Sequence, residues 1–181
     1  DEHAVNFSTS PRHVANAPAN VTACDGYPLP SLSVVNYFSS TGGVGSITVG
    51  TNITSTQTIF VYAETGTSPN CTDENSFTVT INPTPVADAP ANVTACDGYT
   101  LPALSVGNYF SSTGGVGSIT VGTNITSTQT IFIYAETGTS PNCTDENSFT
   151  VTINTSPTAD APANVTACDG YTLSLIHHRR R

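Results

Sequence analysis

An internal repeat constrains this sequence more than any other feature. Residues 19–82 align with residues 91–154 at an offset of 72, and only four of the 64 aligned positions differ: Pro28/Thr100, Ser31/Ala103, Val35/Gly107 and Val61/Ile133. Solenoid units have roughly 20 to 50 residues, so a unit of this length is long enough to bury a core of its own. The sequence therefore predicts a tandem array of small domains.

Apolar residues within each repeat recur with a period of two. In "SFTVTIN", Phe77, Val79 and Ile81 alternate with polar residues, as in a strand with one wet face. "QTIFVYAE" (57–64) is apolar on both faces and predicts a central strand, while "LSVVNYF" (32–38) predicts a strand with Leu32, Val34 and Phe38 on one face. Turns rich in Gly, Pro and Asn separate these strands. We therefore predict an all-β fold, namely tandem immunoglobulin-like β-sandwich repeats of 72 residues.

The repeat divides the chain into six segments. We predict a diverged last strand of a preceding repeat plus a linker (1–18), a first repeat (19–84), a linker (85–90), a second repeat (91–156), a linker (157–162), and a truncated third repeat with an aberrant tail (163–181). The tail "SLIHHRRR" indicates a frameshift, an assembly error or an expression scar. Alternatively, the incomplete ends serve head-to-tail polymerisation by strand exchange. No apolar signal segment follows Asp1, so we expect a mature product or a piece of a longer protein.

Two cysteines recur in each complete repeat, 47 residues apart, and predict the disulfides Cys24–Cys71 and Cys96–Cys143. Closing such a loop would stabilise a repeat by about 4 kcal/mol and implies an oxidising, extracellular compartment. A zinc site is disfavoured, because the repeats contain neither CxxC spacing nor histidine. Cys168 has no partner 47 residues further on. Either the rest of its repeat is missing, or it is free, or it pairs with another chain.

Charged and catalytic side chains are scarce. The net charge is −9, Lys is absent, and Arg occurs only at position 12 and at 179–181, so a nucleic-acid partner is not expected. No apolar run approaches the roughly 20 residues of a membrane-spanning helix. All four His lie outside the repeats, which removes the usual general bases. We predict that the protein is not an enzyme and needs no cofactor, with calcium as the one candidate.

The predicted disulfides would gather carboxylates at one end of each repeat, where oxygen ligands could bind Ca²⁺. The calcium candidates are Asp25, Asp73, Glu74, Asp88, Asp97, Asp145, Glu146 and Asp160. The alternative is a solvated acidic loop. Sequons also give candidate glycosylation sites, which matter only in an organism that glycosylates: Asn20, Asn52, Asn70, Asn92, Asn124, Asn142 and Asn164.

The stretches "ACDGYTLPALSVGNYF" and "TQTIFIYAETGTSPNCTDENSFTVTI" and their recurrence resemble the repeats of large secreted surface proteins of Bacteroidetes, including gliding-motility adhesins. The ending "C-T-x-x-x-SFTVT" is similar to that of a hyalin-type repeat, an immunoglobulin-like module of extracellular adhesive proteins. The resemblance implies export, surface display and a role in adhesion or filament building, with no catalytic residues. The chain departs from antibody-type domains in lacking Trp, which leaves the strand order open.

These observations predict a non-enzymatic structural protein of the cell surface, either a segment of a repetitive adhesin or a subunit of an extracellular filament that associates head to tail. The alternatives are a passive spacer of a larger secreted protein and a glycan-binding module. The residues that could bind a glycan in such a module are Tyr27, Tyr37, Tyr62, Tyr99, Tyr109 and Tyr134. Surface glycans or other surface proteins would then be partners.

Overall fold

The computed structural model describes residues 14–33, 35–159 and 164–172, and within these ranges the chain forms strands and no helix. The first half contains β1 (Val21–Cys24), β2 (Tyr27–Pro28), β3 (Asn36–Ser40), β4 (Val44–Ile47), β5 (Asn52–Ile53), β6 (Gln57–Glu64) and β7 (Thr72–Asn82). The second half contains β8 (Val93–Cys96), β9 (Tyr99–Thr100), β10 (Asn108–Ser112), β11 (Val116–Ile119), β12 (Asn124–Ile125), β13 (Gln129–Glu136) and β14 (Thr144–Asn154). The predicted all-β class is confirmed.

Each half forms two sheets. The larger sheet has the order β1-β7-β6-β3-β4 in the first half, and β2 pairs with β5 in a two-stranded sheet. The second half has the same arrangement, with β8-β14-β13-β10-β11 and β9-β12. One pairing in each larger sheet is parallel: β1 runs alongside β7, and β8 runs alongside β14. Their registers match at the repeat offset, since Val21 lies opposite Val79 and Val93 opposite Val151.

A separate hydrophobic core fills each half, where the larger sheet faces the two-stranded sheet. The first core contains Tyr37, Leu29, Ile53, Ile59, Val61, Ala63, Phe77, Val79 and Ala15. The central position of β6 and the inward face of β7 agree with the alternation in the sequence. Small cores of this kind supply modest stability, so contacts between the halves matter to the whole chain.

The strand predicted at 32–38 differs in its start and in its inward face. It begins at Asn36, and Tyr37 rather than Phe38 is buried, while Val34 lies outside the described residues. Tyr37 lies opposite Val61, and residues directly opposite each other share one face of a sheet. Its hydroxyl donates to the carbonyl oxygen of Pro30 at 3.1 Å, which satisfies this polar group inside the core. Burial raises the pKa of Tyr37.

The segment before each repeat packs into the repeat that follows it. Ala15 and Ala87 are each 2% exposed, and they belong to the first and second core respectively. Ala87 falls within the segment predicted as the linker 85–90. The connection between the repeats therefore contributes side chains to a core, which limits its freedom to bend.

Two of the four differences between the repeats lie in contact. Gly107 replaces Val35 and has φ +98°, and a Cβ atom at this glycine would lie 2.8 Å from Cγ2 of Ile133, the residue that replaces Val61. A pocket opens beside Gly107, between Phe110 and Tyr134. In the second repeat the side chain is larger at Ile133 than at Val61 and smaller at Gly107 than at Val35. The two differences therefore compensate for each other.

Replacing Gly107 by Ala should destabilise the second repeat by about 2 to 4 kcal/mol, because a positive φ and a close contact act together. Gly114→Ala is the matched control, since Gly114 has φ +69° but no atom within 4 Å of an added Cβ. We expect Gly114→Ala to lower the free energy of unfolding by only about 1 kcal/mol, because only the positive φ is unfavourable there. Urea unfolding measures both variants. Equal losses in the two variants would show that the contact with Ile133 is unimportant.

Candidate functional site

A disulfide joins the two repeats. Cys24, the last residue of β1, is bonded to Cys143, which directly precedes β14, with a Cα–Cα distance of 5.7 Å and a sequence separation of 119 residues. The other three cysteines, Cys71, Cys96 and Cys168, are free and exposed. The prediction that the chain contains a disulfide is confirmed. The predicted pairings Cys24–Cys71 and Cys96–Cys143 are wrong.

The parallel pairing of β1 with β7 explains the correction. It places Cys24 opposite Asn82, the last residue of β7, whereas Cys71 precedes the first residue of that strand. At about 3.3 Å per residue, the 11 residues of β7 separate the two cysteines by roughly 36 Å. A disulfide requires Cα atoms within about 7 Å. Since β8 and β14 have the same register, Cys96 and Cys143 are separated in the same way.

The loop 136–143 of the second repeat docks on the end of β7. The side-chain amide of Asn82 donates to the hydroxyl of Thr139 at 3.1 Å, and the sulfur of Cys143 lies 3.6 Å from the carbonyl oxygen of Asn82. Cys143 is 2% exposed, although Cys71 at the same position of the first repeat is exposed. Contact between the repeats therefore accounts for the burial of Cys143. We call this contact the junction, defined by Cys24, Asn82, Thr139 and Cys143.

Internal hydrogen bonds hold the loop in shape. The hydroxyl of Thr137 accepts from the amide of Cys143 at 3.0 Å, and Oδ1 of Asn142 accepts from the amide of Gly138 at 3.0 Å. Nδ2 of Asn142 donates to Glu136 at 2.7 Å, so this candidate glycosylation nitrogen already has a partner. The undocked loop 64–71 repeats the same set of bonds. Its shape is consequently independent of docking.

Asp25 fixes the linker as it leaves the first repeat. Its two carboxylate oxygens accept from the amide of Thr84 at 2.8 Å and from the Thr84 hydroxyl at 2.6 Å. Asp97 holds Ser156 through the equivalent pair of bonds. The hydroxyl and amide donors lower the pKa of Asp25, because they favour the charged carboxylate.

The linker is also fixed where it enters the second repeat. The amide of Ala87 donates to Asp145 at 2.9 Å, and Nδ2 of Asn147 donates to the carbonyl oxygen of Ala87 at 2.9 Å. In the first repeat, Asp73 likewise accepts from the amide of Ala15 at 2.8 Å. The connection is therefore anchored at both of its ends, within a few residues of the disulfide.

The remaining calcium candidates accept from backbone amides rather than facing one another. Glu74 accepts from Gly42 at 2.5 Å, Glu146 accepts from Gly114 at 2.6 Å, and Asp88 accepts from Ser105 at 2.6 Å.

The structure does not bring Asp25 together with Asp73 and Glu74. The amide of Asp25 donates to the carbonyl oxygen of Asn82 at one end of β7, and the other two carboxylates lie at its opposite end. No group of three His, Cys, Asp or Glu side chains in the described part of the chain could hold a metal ion. Asp160 lies outside the described residues.

The candidate glycan-binding tyrosines divide into buried and partly buried positions. Tyr37 and Tyr109 are core residues, exposed by 0% and 1%. Tyr62 and Tyr134 pack edge-on against Phe38 and Phe110, with ring centroids 5.9 Å apart. Tyr27 and Tyr99 pack partly buried against the two cores. These placements leave none of the six as a fully exposed ring.

Most sequon asparagines make contacts within their own repeat. Asn20 and Asn92 accept from the amides of Thr78 and Thr150 at 2.8 Å and extend the parallel pairing by a further hydrogen bond. Asn52 and Asn124 cover Gly26 and Gly98, where an added Cβ would lie 2.5 Å and 2.7 Å from the amide nitrogen. Asn164 is exposed and lies outside any strand.

Comparison with protein-family models and with curated proteins found no match. Across the described residues, no helix has the length and apolar character that crossing a membrane requires.

The sequence reasoning missed Asn82 and Thr139, which connect the repeats, and Thr84, which binds Asp25 where the first repeat ends. One signal was available: Thr84 and Ser156 both carry a hydroxyl at the same repeat position, although the linkers around them diverge.

Thiol counting distinguishes the two pairing schemes. The junction disulfide leaves three thiols, Cys71, Cys96 and Cys168, whereas two intra-repeat disulfides would leave one of the five cysteines. We expect Cys24→Ser to raise the count from three to four, because Cys143 loses its partner. Titration of unfolded, unreduced protein gives the number. A count of one in wild-type protein that is monomeric on a non-reducing gel would restore the intra-repeat scheme.

The same variants report the energy of the junction. Cys24→Ser and Cys143→Ser should each destabilise the oxidised chain by at most about 5 kcal/mol, the chain-entropy value for a loop of this length. The double variant should lose no more than either single one, since both remove the same bond. Cys71→Ser is the control and should unfold like the wild type. Additive losses for Cys24→Ser and Cys143→Ser would argue against a shared bond.

The linker anchor should respond to acid. The pKa of Asp25 is lowered in the folded state, so its stabilising contribution is present above the ordinary carboxyl pKa and is lost as pH falls through the lowered value. In NMR titrations the Thr84 amide shift should follow Asp25 with a midpoint below 3.8. Asp25→Asn should abolish this titration and leave that of Ser156 unchanged, because Ser156 reports Asp97. A Thr84 midpoint above the ordinary carboxyl value would contradict the anchor.

Proposed function

We propose that this chain is a non-enzymatic structural protein of the cell surface, built from immunoglobulin-like β-sandwich repeats. It acts as a segment of a repetitive extracellular adhesin or as a subunit of an extracellular filament. The observation that carries the proposal is the position of the Cys24–Cys143 disulfide. A bond that stabilised one small core would close within that repeat, whereas this bond fixes one repeat to the next.

The disulfide gives the chain a short covalent path between its ends. Tension applied to the two ends enters through β1, crosses from Cys24 to Cys143, and continues into β14. The residues between the two cysteines lie in a loop that this path bypasses. A surface protein that resists pulling benefits from such a bypass, because unfolding inside the loop cannot lengthen the protein.

Four observations support a structural role at the cell surface. A disulfide is consistent with an oxidising, extracytoplasmic compartment. The linker is anchored on both sides, through Asp25 and Asp145, which favours a fixed orientation of neighbouring repeats over free hinging. The repeats contain no His, Lys or Arg, and the resemblance to Bacteroidetes surface proteins implies adhesion or filament building.

Single-molecule pulling on the chain ends tests this proposal. The 119-residue separation of the bonded cysteines should make the fully extended oxidised chain shorter than the reduced chain by roughly 400 Å. The control is Cys71→Ser, which should keep the short oxidised length, whereas Cys143→Ser should show the long length under both conditions. If oxidised and reduced wild-type chains extend equally, the disulfide does not bear load and the structural proposal loses its main support.

A further inference from the structure

Each half of the junction has an unused counterpart elsewhere in the chain. Cys96 occupies in the second repeat the position of Cys24, and β8 and β14 place it opposite Asn154 as Cys24 lies opposite Asn82. Cys71 occupies in the first repeat the position of Cys143. Among the residues that the structure describes, one copy of each interacting surface is therefore not used within the chain.

The unused surfaces have the shape that docks at the junction. The loop 64–71 contains the same internal hydrogen bonds as the docked loop 136–143, including Asn70 to Glu64 at 3.0 Å and Thr65 to the amide of Cys71 at 3.0 Å. At the other surface, Asp97 holds Ser156 just as Asp25 holds Thr84 beside the junction. Both unused surfaces therefore have the local hydrogen bonds of the surfaces that meet at the junction.

Burial shows what the junction covers. Cys143 and Asn82 are buried and half-buried, whereas their counterparts Cys71 and Asn154 are exposed. The residues that flank Cys71 and Cys143 are the same, and so are those that directly precede Asn82 and Asn154, so we attribute the difference in burial to contact. The surfaces around Cys71 and Asn154 match two surfaces that cover each other within the chain, so a second copy of this chain is the partner that fits both.

We propose that Cys96 of one copy forms a disulfide with Cys71 of a second copy, head to tail, reproducing the junction between molecules. In this contact the side-chain amide of Asn154 donates to the hydroxyl of Thr67 of the second copy, as Asn82 donates to Thr139 within the chain. The inference rests on the proposed structural function and specifies how one subunit bonds to the next. It replaces strand exchange with thiol chemistry between preformed surfaces.

The bond requires an oxidant, and a low-molecular-weight disulfide such as glutathione disulfide supplies it. One cysteine thiolate attacks glutathione disulfide, forms a mixed disulfide and releases one glutathione. The thiolate of the other copy then attacks the protein sulfur of that mixed disulfide and releases the second glutathione. Two protein thiols are thereby oxidised, and one glutathione disulfide is reduced to two glutathione molecules.

Cys168 shares the sequence context of Cys96 but not its structural setting. Residues 164–172 are exposed and form no strand, so no strand end within the described ranges lies beside Cys168 as Asn154 lies beside Cys96. It is the natural competitor in any cross-linking experiment, and the Cys168→Ser variant serves as the background.

Two capped variants test the proposal in that background. Cys71→Ser retains only the Cys96 surface, and Cys96→Ser retains only the Cys71 surface. After oxidation by glutathione disulfide, we expect the background protein to form a ladder of multiples of 18.7 kDa on non-reducing gels. Each capped variant alone should remain monomeric, while their mixture should form a dimer and nothing larger. Dimers of either capped variant alone, or a mixture without dimers, would overturn the proposal.

Two further variants separate a docked contact from random oxidation. Asn154→Ala in the Cys71→Ser partner should lower the dimer yield of the mixture about fivefold through the lost hydrogen bond, whereas random thiol pairing would be unaffected. Cys96→Ser with Cys168 restored should stay monomeric, and a ladder from this variant would assign the bond to Cys168 instead. Thiol counting on monomers and single-molecule pulling test the Cys24–Cys143 disulfide within one chain. If the cross-link between copies fails to form, those two experiments still test the proposed structural function.

Discussion

The parallel pairing of β1 with β7 is the contact on which the rest of the structure depends. It turns the first strand of each repeat so that its cysteine emerges at the far end of the last strand, beside the linker. From that position Cys24 is within reach of the next repeat and out of reach of Cys71. Had β1 run antiparallel to β7, its cysteine would lie toward the opposite end of the sheet, and one disulfide within each repeat would be feasible.

The sequence predicted the parts of the fold that depend on alternation. Phe77 and Val79 face the core as their period indicates, and β6 is central because it is apolar on both faces. Strand direction has no such signature, since an alternating pattern reads the same in a parallel and in an antiparallel pair. The cysteine spacing was therefore interpreted correctly as a disulfide and wrongly as to its partner. The sequence does not show that Tyr37 is the buried residue, because Tyr37 and Phe38 are adjacent aromatic residues and either could face the core.

The acidic residues show how a chain almost without cations uses its carboxylates. With Lys absent and Arg confined to position 12 and 179–181, the repeats offer few partners other than backbone amides and hydroxyls. Asp25, Asp73 and Glu74 each accept from such donors and fix a linker, an entry segment and a turn. The sequence revealed their clustering along the chain, but their separate roles depend on contacts with residues up to 59 positions away.

The junction also affects how such an array can change in length by gene duplication. If the first cysteine of every repeat bonds the second cysteine of the next, an array of n repeats contains n − 1 such bonds and always leaves one unpaired cysteine at each end. Inserting or deleting a repeat by recombination then creates no new unpaired thiol in the interior. Repeat number becomes a quantity that mutation can vary freely, with the chemistry of the two ends unchanged.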